Sequence, residues 1–379
     1  MVESDLVALV LEFTLTDKGW VMMVAFMKNL KMKIIRTLTT LSFSLIVLSS
    51  ISLHAQPAAA TAEQRVQNFQ QNMEQQAPML NLRAGTNAPE TYVNENADIG
   101  EQHILKVIPN PTRWEIVADS RFFYTDNATL SQLTANNPLT SSSVFVNTIS
   151  AAYAPTPYKF GDGRFAPTAG YRAQWYNYEG KNLPGGTSVS SLDFNAQTAF
   201  IGGKYLMPNN WQLFGEFDYT RIVQQPEYSL EFYHEYVPSF GVQRLVQISQ
   251  NSLISISLMT DYHFSWVPNP PTPSQDHMDD TLSLAYSWQP IPKIVVQPYY
   301  RFTYSRYRFD SAGNNSARND LLNSFGFSVS YYFTPWLSLQ AFDNYDYRSS
   351  DDNSLAFAGF NPGYRAFNLG VDLTATFRF

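Results

Sequence analysis

Charged residues stand at alternate positions of several aromatic-rich segments, and their spacing suggests that they share one face. In 293–308, for example, Gln297, Arg301 and Thr303 alternate with Tyr300, Phe302 and other apolar residues. Mixed charges lining a polar interior focus an electric field and can define a path for ions or solutes. The same charges could instead pair across the interior and fill it. The candidates for an inward-facing set are Glu115, Asp119, Arg121, Arg172, Asp193, Glu216, Asp218, Asp261, His263, Arg301, Asp372 and Arg378.

Three arginines in this set suggest a constriction of the kind that selects ions. Arg121, Arg172 and Arg301 would face aspartates and glutamates of the same set, which predicts an eyelet with opposed charges. Sequence does not give the depth of each residue along the path. The predicted eyelet therefore specifies which residues face the interior and what charge each carries.

Hydrolysis is the rival chemistry, since His263 lies among Ser257, Asp261 and Ser265. A serine and histidine acting on a lipid ester would have to face outward, near the end of a strand, where the lipid can reach them. These four residues all share the predicted polar face. The pattern therefore favours a protein that is not an enzyme.

The remaining sequence offers no cofactor chemistry. Histidines with metal-ligand spacing, phosphate-binding glycine loops and zinc signatures are absent from the sequence, so no metal or cofactor is predicted. Three other histidines follow residue 55, and they fall in predicted loops without a nucleophile motif: His103, His234 and His277.

The elements that must position these residues are strands with a period of two. In the last sixteen residues, apolar side chains alternate with Asn368, Gly370, Asp372, Thr374, Thr376 and Arg378, and the chain ends on Phe379. Alternation places the two sets on opposite faces of one strand. The predicted strands are 113–125, 143–154, 165–178, 192–206, 211–222, 239–249, 253–266, 280–288, 293–308, 321–333, 336–348 and 364–379.

The connectors between these strands are alternately short and long. Most short connectors contain proline, as in 207–210 and 289–292, and the long ones are rich in Asn, Asp, Ser, Gly and Pro. This alternation predicts an all-β transmembrane antiparallel barrel with short periplasmic turns and long extracellular loops. We expect about twelve strands. Ten and fourteen are the alternatives, because apolar and polar residues do not alternate cleanly in 223–249.

Composition supports a barrel rather than a bundle of membrane helices. Hydrophobic residues make up 44% of the 379 residues, charged residues 15% and aromatic residues 15%, and the mean hydropathy is −0.24. A barrel whose strands each have one face exposed to water has a mean hydropathy close to −0.24. The chain has no cysteine, which excludes a disulfide scaffold.

The N-terminal part predicts export. A basic stretch precedes the apolar run 38–53, which predicts an N-terminal extension and signal peptide over 1–55 with cleavage after Ala55. Residues 56–100 form a polar segment that could be periplasmic, a plug in the lumen or disordered, and 101–379 form the barrel. Cleavage removes 5 of 25 basic and 4 of 32 acidic residues, and the resulting net charge of −8 argues against nucleic acid as a partner.

The C-terminal three-quarters of the chain resembles bacterial outer-membrane β-barrel proteins of the porin-like class. Asp372, Phe377 and Phe379 match the terminal motif read by the barrel-assembly machinery, although Thr374 stands where glycine is usual. The resemblance implies the assembly machinery, outer-membrane lipids and lipopolysaccharide as partners. It names no particular porin family and leaves the oligomeric state open.

The function predicted from these features is passive diffusion of ions or small hydrophilic solutes through a polar lumen. Two alternatives stay open: a plugged barrel with a structural, adhesive or surface-display role, and an outer-membrane lipase. The transported solute cannot be derived from the sequence.

Overall fold

The computed structural model describes residues 62, 65, 66, 113–130, 139–183, 188–224, 231–266, 275–309, 317–352 and 362–379, and these all belong to one compact unit. Strands dominate this part of the chain. They are β1 Trp114–Thr125, β2 Ser142–Tyr153, β3 Tyr158–Phe160, β4 Gly163–Gly180, β5 Phe194–Leu206, β6 Trp211–Gln224, β7 Glu231–Ser249, β8 Ser252–Trp266, β9 His277–Ile291, β10 Ile294–Tyr307, β11 Arg318–Tyr332, β12 Leu337–Ser350 and β13 Tyr364–Arg378.

Twelve of the strands close into an antiparallel barrel. Each pairs with its neighbours in the chain, β2 pairs with β4, and β13 pairs with β1 from Glu115↔Arg378 to Thr125↔Asn368. The three-residue β3 pairs only with β4 and stands outside the ring. The last residue takes part in closure, because Trp114 and Phe379 exchange backbone hydrogen bonds of 2.9 and 3.1 Å.

The predicted fold class is confirmed, and all twelve predicted strands are present with limits within three residues except at one point. That point is the start of β7, which begins at Glu231 rather than at residue 239. Pro238 explains the difference, since proline within a run argues against a paired strand. In the barrel Pro238 pairs with Phe217 on β6, while Val237 and Pro238 form no ladder pair with β8.

Short and long connectors alternate around the barrel as predicted, except that the early start of β7 shortens the β6–β7 connector to residues 225–230. The short ones lie at the end that carries Trp114 and Phe379, here called the short-turn end, and the others lie at the opposite, long-loop end. Between β5 and β6 the chain reverses with Asn209 and Asn210 in the left-handed region, at φ 62° and 61°. Asparagine tolerates this conformation better than most residues, which accounts for the Asn pair after Pro208.

The outer face of the barrel is apolar and ends in aromatic residues. At the short-turn end, the exposed side chains of Trp114, Trp211, Trp288 and Trp336 lie close to the turns. Tryptophan at the border of an apolar band is typical of barrels whose outer face meets lipid. Among the described residues, no helix is long and apolar enough to span a membrane.

The inner face carries the polar residues of the alternating pattern. In β1, for instance, Asp119, Arg121 and Phe123 are buried, whereas Ser120 and Phe122 between them are exposed on the outside. The predicted N-terminal extension and signal peptide (1–55) and nearly all of the predicted polar segment (56–100) lie outside the described residues.

Closure makes one glycine critical. A Cβ on Gly370 of β13 would come closer than 3.0 Å to the Phe122 carbonyl oxygen and to Cα and Cβ of Phe123, all on β1. We expect Gly370→Ala to destabilise the barrel by about 1–3 kcal/mol, because one strand must move away from the other. Urea unfolding in detergent micelles, followed by the heat-modifiable gel shift, measures the change.

Gly215→Ala is the matched control, since a Cβ there meets the Ser239 carbonyl oxygen at 3.4 Å and the Phe240 ring at 3.9 Å. It should unfold close to the wild-type urea midpoint. Equal midpoints for the two variants would contradict the close approach at Gly370.

Candidate functional site

The candidate site is the inner wall of the barrel, here called the lumen. Because β1 runs antiparallel to β13, Arg121 stands directly opposite Asp372. The Arg121 Nη2 lies 2.7 Å and the Nε 3.2 Å from the Asp372 Oδ2, and both side chains are buried. The guanidinium also lies 5.0 Å from the centre of the Phe342 ring. This pair therefore holds the β1–β13 junction together on its inner side.

Asp119 and Thr374 extend this pair along the junction. The Thr374 hydroxyl lies 3.2 Å from the Asp119 Oδ2 and 3.1 Å from the Asp372 Oδ1. Two buried carboxyl groups therefore share one guanidinium in a region of low dielectric. Arg121 is therefore bound to acidic residues of the wall rather than presented to a passing ion.

A second ion-pair cluster lies near the long-loop end, and sequence reasoning missed it. Asp320 of β11 bonds to Arg348 of β12 and, at 3.0 Å, to Arg318 of its own strand. The Arg348 Nη2 donates to the Tyr307 hydroxyl at 2.8 Å, and the Arg318 guanidinium lies 3.6 Å from the centre of the Tyr307 ring. Extending the alternation of 321–333 by three residues toward the N-terminus would have placed Arg318 and Asp320 on the inner face.

The N-terminal segment reaches the lumen at its long-loop end. Ala62, Arg65 and Val66 have helical backbone and are buried. Arg65 donates from Nη1 to the Asn368 side chain at 3.1 Å, and from Nη2 to the Asn127 carbonyl oxygen at 3.0 Å.

Apolar packing supports these hydrogen bonds. Ala62 and Val66 belong to one buried cluster with residues from the inner faces of β1, β2, β4, β5, β6 and β7. The members on the wall include Phe123, Val144, Val146, Tyr176, Phe194, Ile222 and Tyr233. Near the long-loop end, part of the lumen is therefore filled by the chain itself.

The wall is more accessible on β4 to β6. Glu216 and Asp218 of β6 and Arg172 of β4 are half-buried, and Lys204 of β5 is exposed. The Arg172 guanidinium lies 5.6 Å from the centre of the Phe200 ring, and its Nε and Nη1 have no hydrogen-bond partner among the described residues. Charged residues of both signs that are half-buried or exposed therefore lie on three adjoining strands, although the Arg172 Nε and Nη1 atoms are themselves buried.

The remaining predicted residues differ in placement. Glu115 and Arg378 form a half-exposed pair of 2.6 Å at the short-turn end. Arg301 is 1% exposed and its Nη2 lies 3.5 Å from the Ser324 hydroxyl, so it belongs to the filled part of the wall. Asp261 and His263 are buried on β8, next to His277 and Asp279 of β9.

The sequence places Asp193 on a strand that lines the lumen, and this placement is wrong, because Asp193 precedes β5. Its Oδ1 accepts a hydrogen bond of 2.7 Å from the Tyr178 backbone N–H, after a turn of 3₁₀ helix at Val189–Leu192. Burial raises the pKa of the Asp193 carboxyl, although the hydrogen bond acts in the opposite direction. Its role is to fasten a long loop to β4.

The inward placement of His263 bears on the lipase alternative. Its Nδ1 lies 2.7 Å from the Glu235 carboxylate, and its ring is stacked on His277 in the buried interior. A histidine in this position cannot act on a lipid at the outer face.

These features define the class of the protein: it is a twelve-stranded barrel of the outer-membrane type, with an apolar outer face and a charged lumen. No protein-family model matches the sequence, and a search of curated proteins finds no match. Structure comparison finds an outer-membrane channel from Pseudomonas putida F1 with a TM-score of 0.44 and 11% identity, covering 73% of this chain and 100% of that one.

Two further structures are similar at a comparably low level. KdgM porin has a TM-score of 0.35 and 10% identity, covering 68% of this chain and 97% of its own. The translocator domain of the autotransporter NalP from Neisseria meningitidis has a TM-score of 0.36 and 12% identity, covering 70% and 89%. At this level of similarity the assignment of the barrel rests on its own strand pairing.

The Arg121–Asp372 pair leads to a stability prediction. Asp372→Asn leaves Arg121 buried with less compensating charge, and we expect the free energy of unfolding to fall by about 3–5 kcal/mol. Urea unfolding in lipid vesicles measures this change.

Asp280→Asn serves as control, because Asp280 pairs with Arg306 at 2.7 Å where both side chains are more than 40% exposed. Loss of that pair should cost less than about 1 kcal/mol. If Asp372→Asn costs no more than Asp280→Asn, the pair does not hold the junction.

Proposed function

We propose that the protein is a passive channel of the bacterial outer membrane for ions or small hydrophilic solutes, and that its N-terminal segment closes the lumen. The observation that carries the proposal is the burial of Ala62, Arg65 and Val66, here called the Arg65 turn, against the inner wall without belonging to any of its strands. A barrel that served only as a rigid scaffold could fill this space with wall side chains alone. A separate segment can leave the lumen without breaking a strand pair.

The proposed path runs along β4, β5 and β6. Arg172, Lys204, Glu216 and Asp218 are the charged inner residues that are least buried there. Mixed charges on one wall attract ions of both signs. The net charge along the path then determines whether cations or anions are preferred. The path meets the Arg65 turn and its apolar cluster at the long-loop end, where the segment would close it.

The location follows from the same proposal. Lipids would surround the outer face, and the short-turn end would lie in the periplasm with the long loops outside the cell. Phe377 and Phe379 point outward and are exposed, and Phe377 is stacked on Trp336 at 5.7 Å. We propose these two phenylalanines as the terminal motif read by the barrel-assembly machinery, and lipopolysaccharide as a partner of the long loops. We propose no enzymatic activity, because His263 is buried in the interior, where a lipid of the membrane cannot reach it.

Conductance in planar lipid bilayers tests the channel and its closure together. We expect the mature chain to show rare, discrete conductance steps, and Arg65→Ala to raise the time-averaged conductance at least tenfold. The reason is that hydrogen bonds from a buried charged group contribute about 1.5–3 kcal/mol each, and these would be lost from the closed state.

Arg164→Ala is the matched control, since Arg164 is an exposed arginine at the start of β4. It should conduct like the wild type. A folded Arg65→Ala barrel that stays silent would refute the channel and favour a structural or display role for the barrel.

Selectivity tests the proposed path. The double variant Glu216→Gln, Asp218→Asn removes two negative charges from β6, so we expect the reversal potential in a KCl gradient to shift toward anion preference. Asp280→Asn removes a carboxylate from the outer face and should leave the reversal potential unchanged. If the double variant also leaves it unchanged, the path does not run past β6.

A further inference from the structure

Two histidines and two aspartates meet on the inner wall of β8 and β9. The antiparallel register places His263 opposite His277 and Asp261 opposite Asp279. We call these four residues the His–Asp cluster. All four are more than 90% buried, and the two imidazole rings are parallel with their centres 4.1 Å apart. The cluster lies near the long-loop end, apart from the half-buried charges of the proposed path.

Hydrogen bonds orient both imidazole rings in the same way. The Nδ1 of His277 donates to the Gln275 carbonyl oxygen at 2.7 Å. The Nδ1 of His263 lies 2.7 Å from the Glu235 Oε2, and the Tyr233 hydroxyl donates to that same oxygen at 2.9 Å. Histidines that ligate metals almost always use one ring nitrogen in this way, donating to a carbonyl or carboxylate, while the other binds the ion.

The other nitrogen of each ring faces an aspartate oxygen. The His277 Nε2 lies 3.6 Å from the Asp279 Oδ1, and the His263 Nε2 lies 3.7 Å from the Asp261 Oδ2. Because the Gln275 carbonyl can only accept, the His277 Nδ1 carries the hydrogen in a neutral ring, and its Nε2 then presents a lone pair to the carboxylate. Nitrogen and oxygen ligands bound to one zinc ion at 2.0–2.2 Å lie about 3.4–3.6 Å apart, which matches these separations.

The aspartates supply the charge that such an ion would balance. Asp261 and Asp279 are cross-strand neighbours, and like charges directly opposite each other destabilise a sheet. The Oδ1 of each is buried and has no hydrogen-bond partner among the described residues. Arg318 and Arg348, on the strands beyond β10, are engaged by Asp320. Two buried carboxylates therefore lie together with much of their hydration lost and their charge concentrated in one place.

We propose that the His–Asp cluster binds one divalent first-row transition metal ion, with zinc as the probe. Imidazole together with carboxylate suits Zn²⁺ and its neighbours, whereas Ca²⁺ and Mg²⁺ prefer sites built from oxygen alone. Ligand atoms of His263, His277 and Asp279 already lie within 4.8 Å of one another. Binding draws them closer by about 1 Å and tilts one imidazole out of the stack, as a tetrahedral ion requires.

Stacking limits how far His277 can move. One face of its ring lies on His263, and the ring also packs on Tyr307 at 4.4 Å, with Arg318 over the Tyr307 ring. These are direct cross-strand neighbours from β8 to β11. The wall therefore holds His277 firmly, and we expect His263 to be the ring that turns.

Zinc binding to the full mature chain tests the proposal. The barrel, free of any polyhistidine tag, is refolded in detergent, treated with a chelator and dialysed against ZnCl₂. We expect one zinc per chain by mass spectrometry of the metal content, and a higher unfolding temperature with zinc than without. Less than a tenth of an equivalent bound to folded wild-type barrel would overturn the proposal, whatever the variants do.

Four variants distinguish this site from adventitious binding. Asp279→Asn replaces the carboxylate but keeps the shape of the side chain, whereas His277→Gln removes a ligand nitrogen. Neither variant should bind stoichiometric zinc. Glu235→Gln changes only the group that orients His263 and should weaken zinc affinity about 10–100-fold. His234→Ala is the control, because His234 pairs with Glu231 at 2.5 Å on the outer face; it should bind zinc like the wild type. Full binding by folded Asp279→Asn and His277→Gln would refute the site, as would an equal loss in His234→Ala.

Discussion

The pairing of β13 with β1 is the constraint on which the rest of the structure depends. A sheet that faces lipid cannot leave an edge unpaired, because the backbone groups along that edge would find no water to bond. Closure from Glu115↔Arg378 to Thr125↔Asn368 removes the edge and uses the chain to its last residue. It also converts the alternation of each strand into a division between one outside and one inside. Every inward side chain then shares a single enclosed space with all the others.

Enclosure explains why the inner charges are paired mainly between neighbouring strands. Where the lumen is filled, water is scarce and the dielectric is low, so a charge needs a partner at short range. Cross-strand neighbours are the side chains that a sheet brings close without further folding. Arg121 with Asp372 and Arg348 with Asp320 follow this rule. The His–Asp cluster follows the same geometry with a different result, because its direct neighbours across the strands are residues of the same type rather than residues of opposite charge.

Much of this could be predicted from the sequence, because alternation is a local property. It correctly located the twelve strands, apart from the start of β7. The placements that the sequence did not provide depend on contacts between distant parts of the chain. His277 was assigned to a loop fourteen residues from His263, and only the β8–β9 register makes them neighbours. Arg65 could not be placed at all, since nothing in a polar segment shows which wall residues it will reach.

The Arg65 turn and the His–Asp cluster are physically separate. Arg65 is held by Asn127 and Asn368, at the ends of β1 and β13, whereas the His–Asp cluster lies on β8 and β9. Counted around the ring of twelve, β8 stands six strands from β1, directly across the barrel. An ion bound to β8 and β9 would join two strands that are already paired, so it would strengthen the wall without holding the Arg65 turn. Closure of the lumen and binding of a metal should therefore respond to different substitutions, even though both sites lie near the same end of one enclosed space.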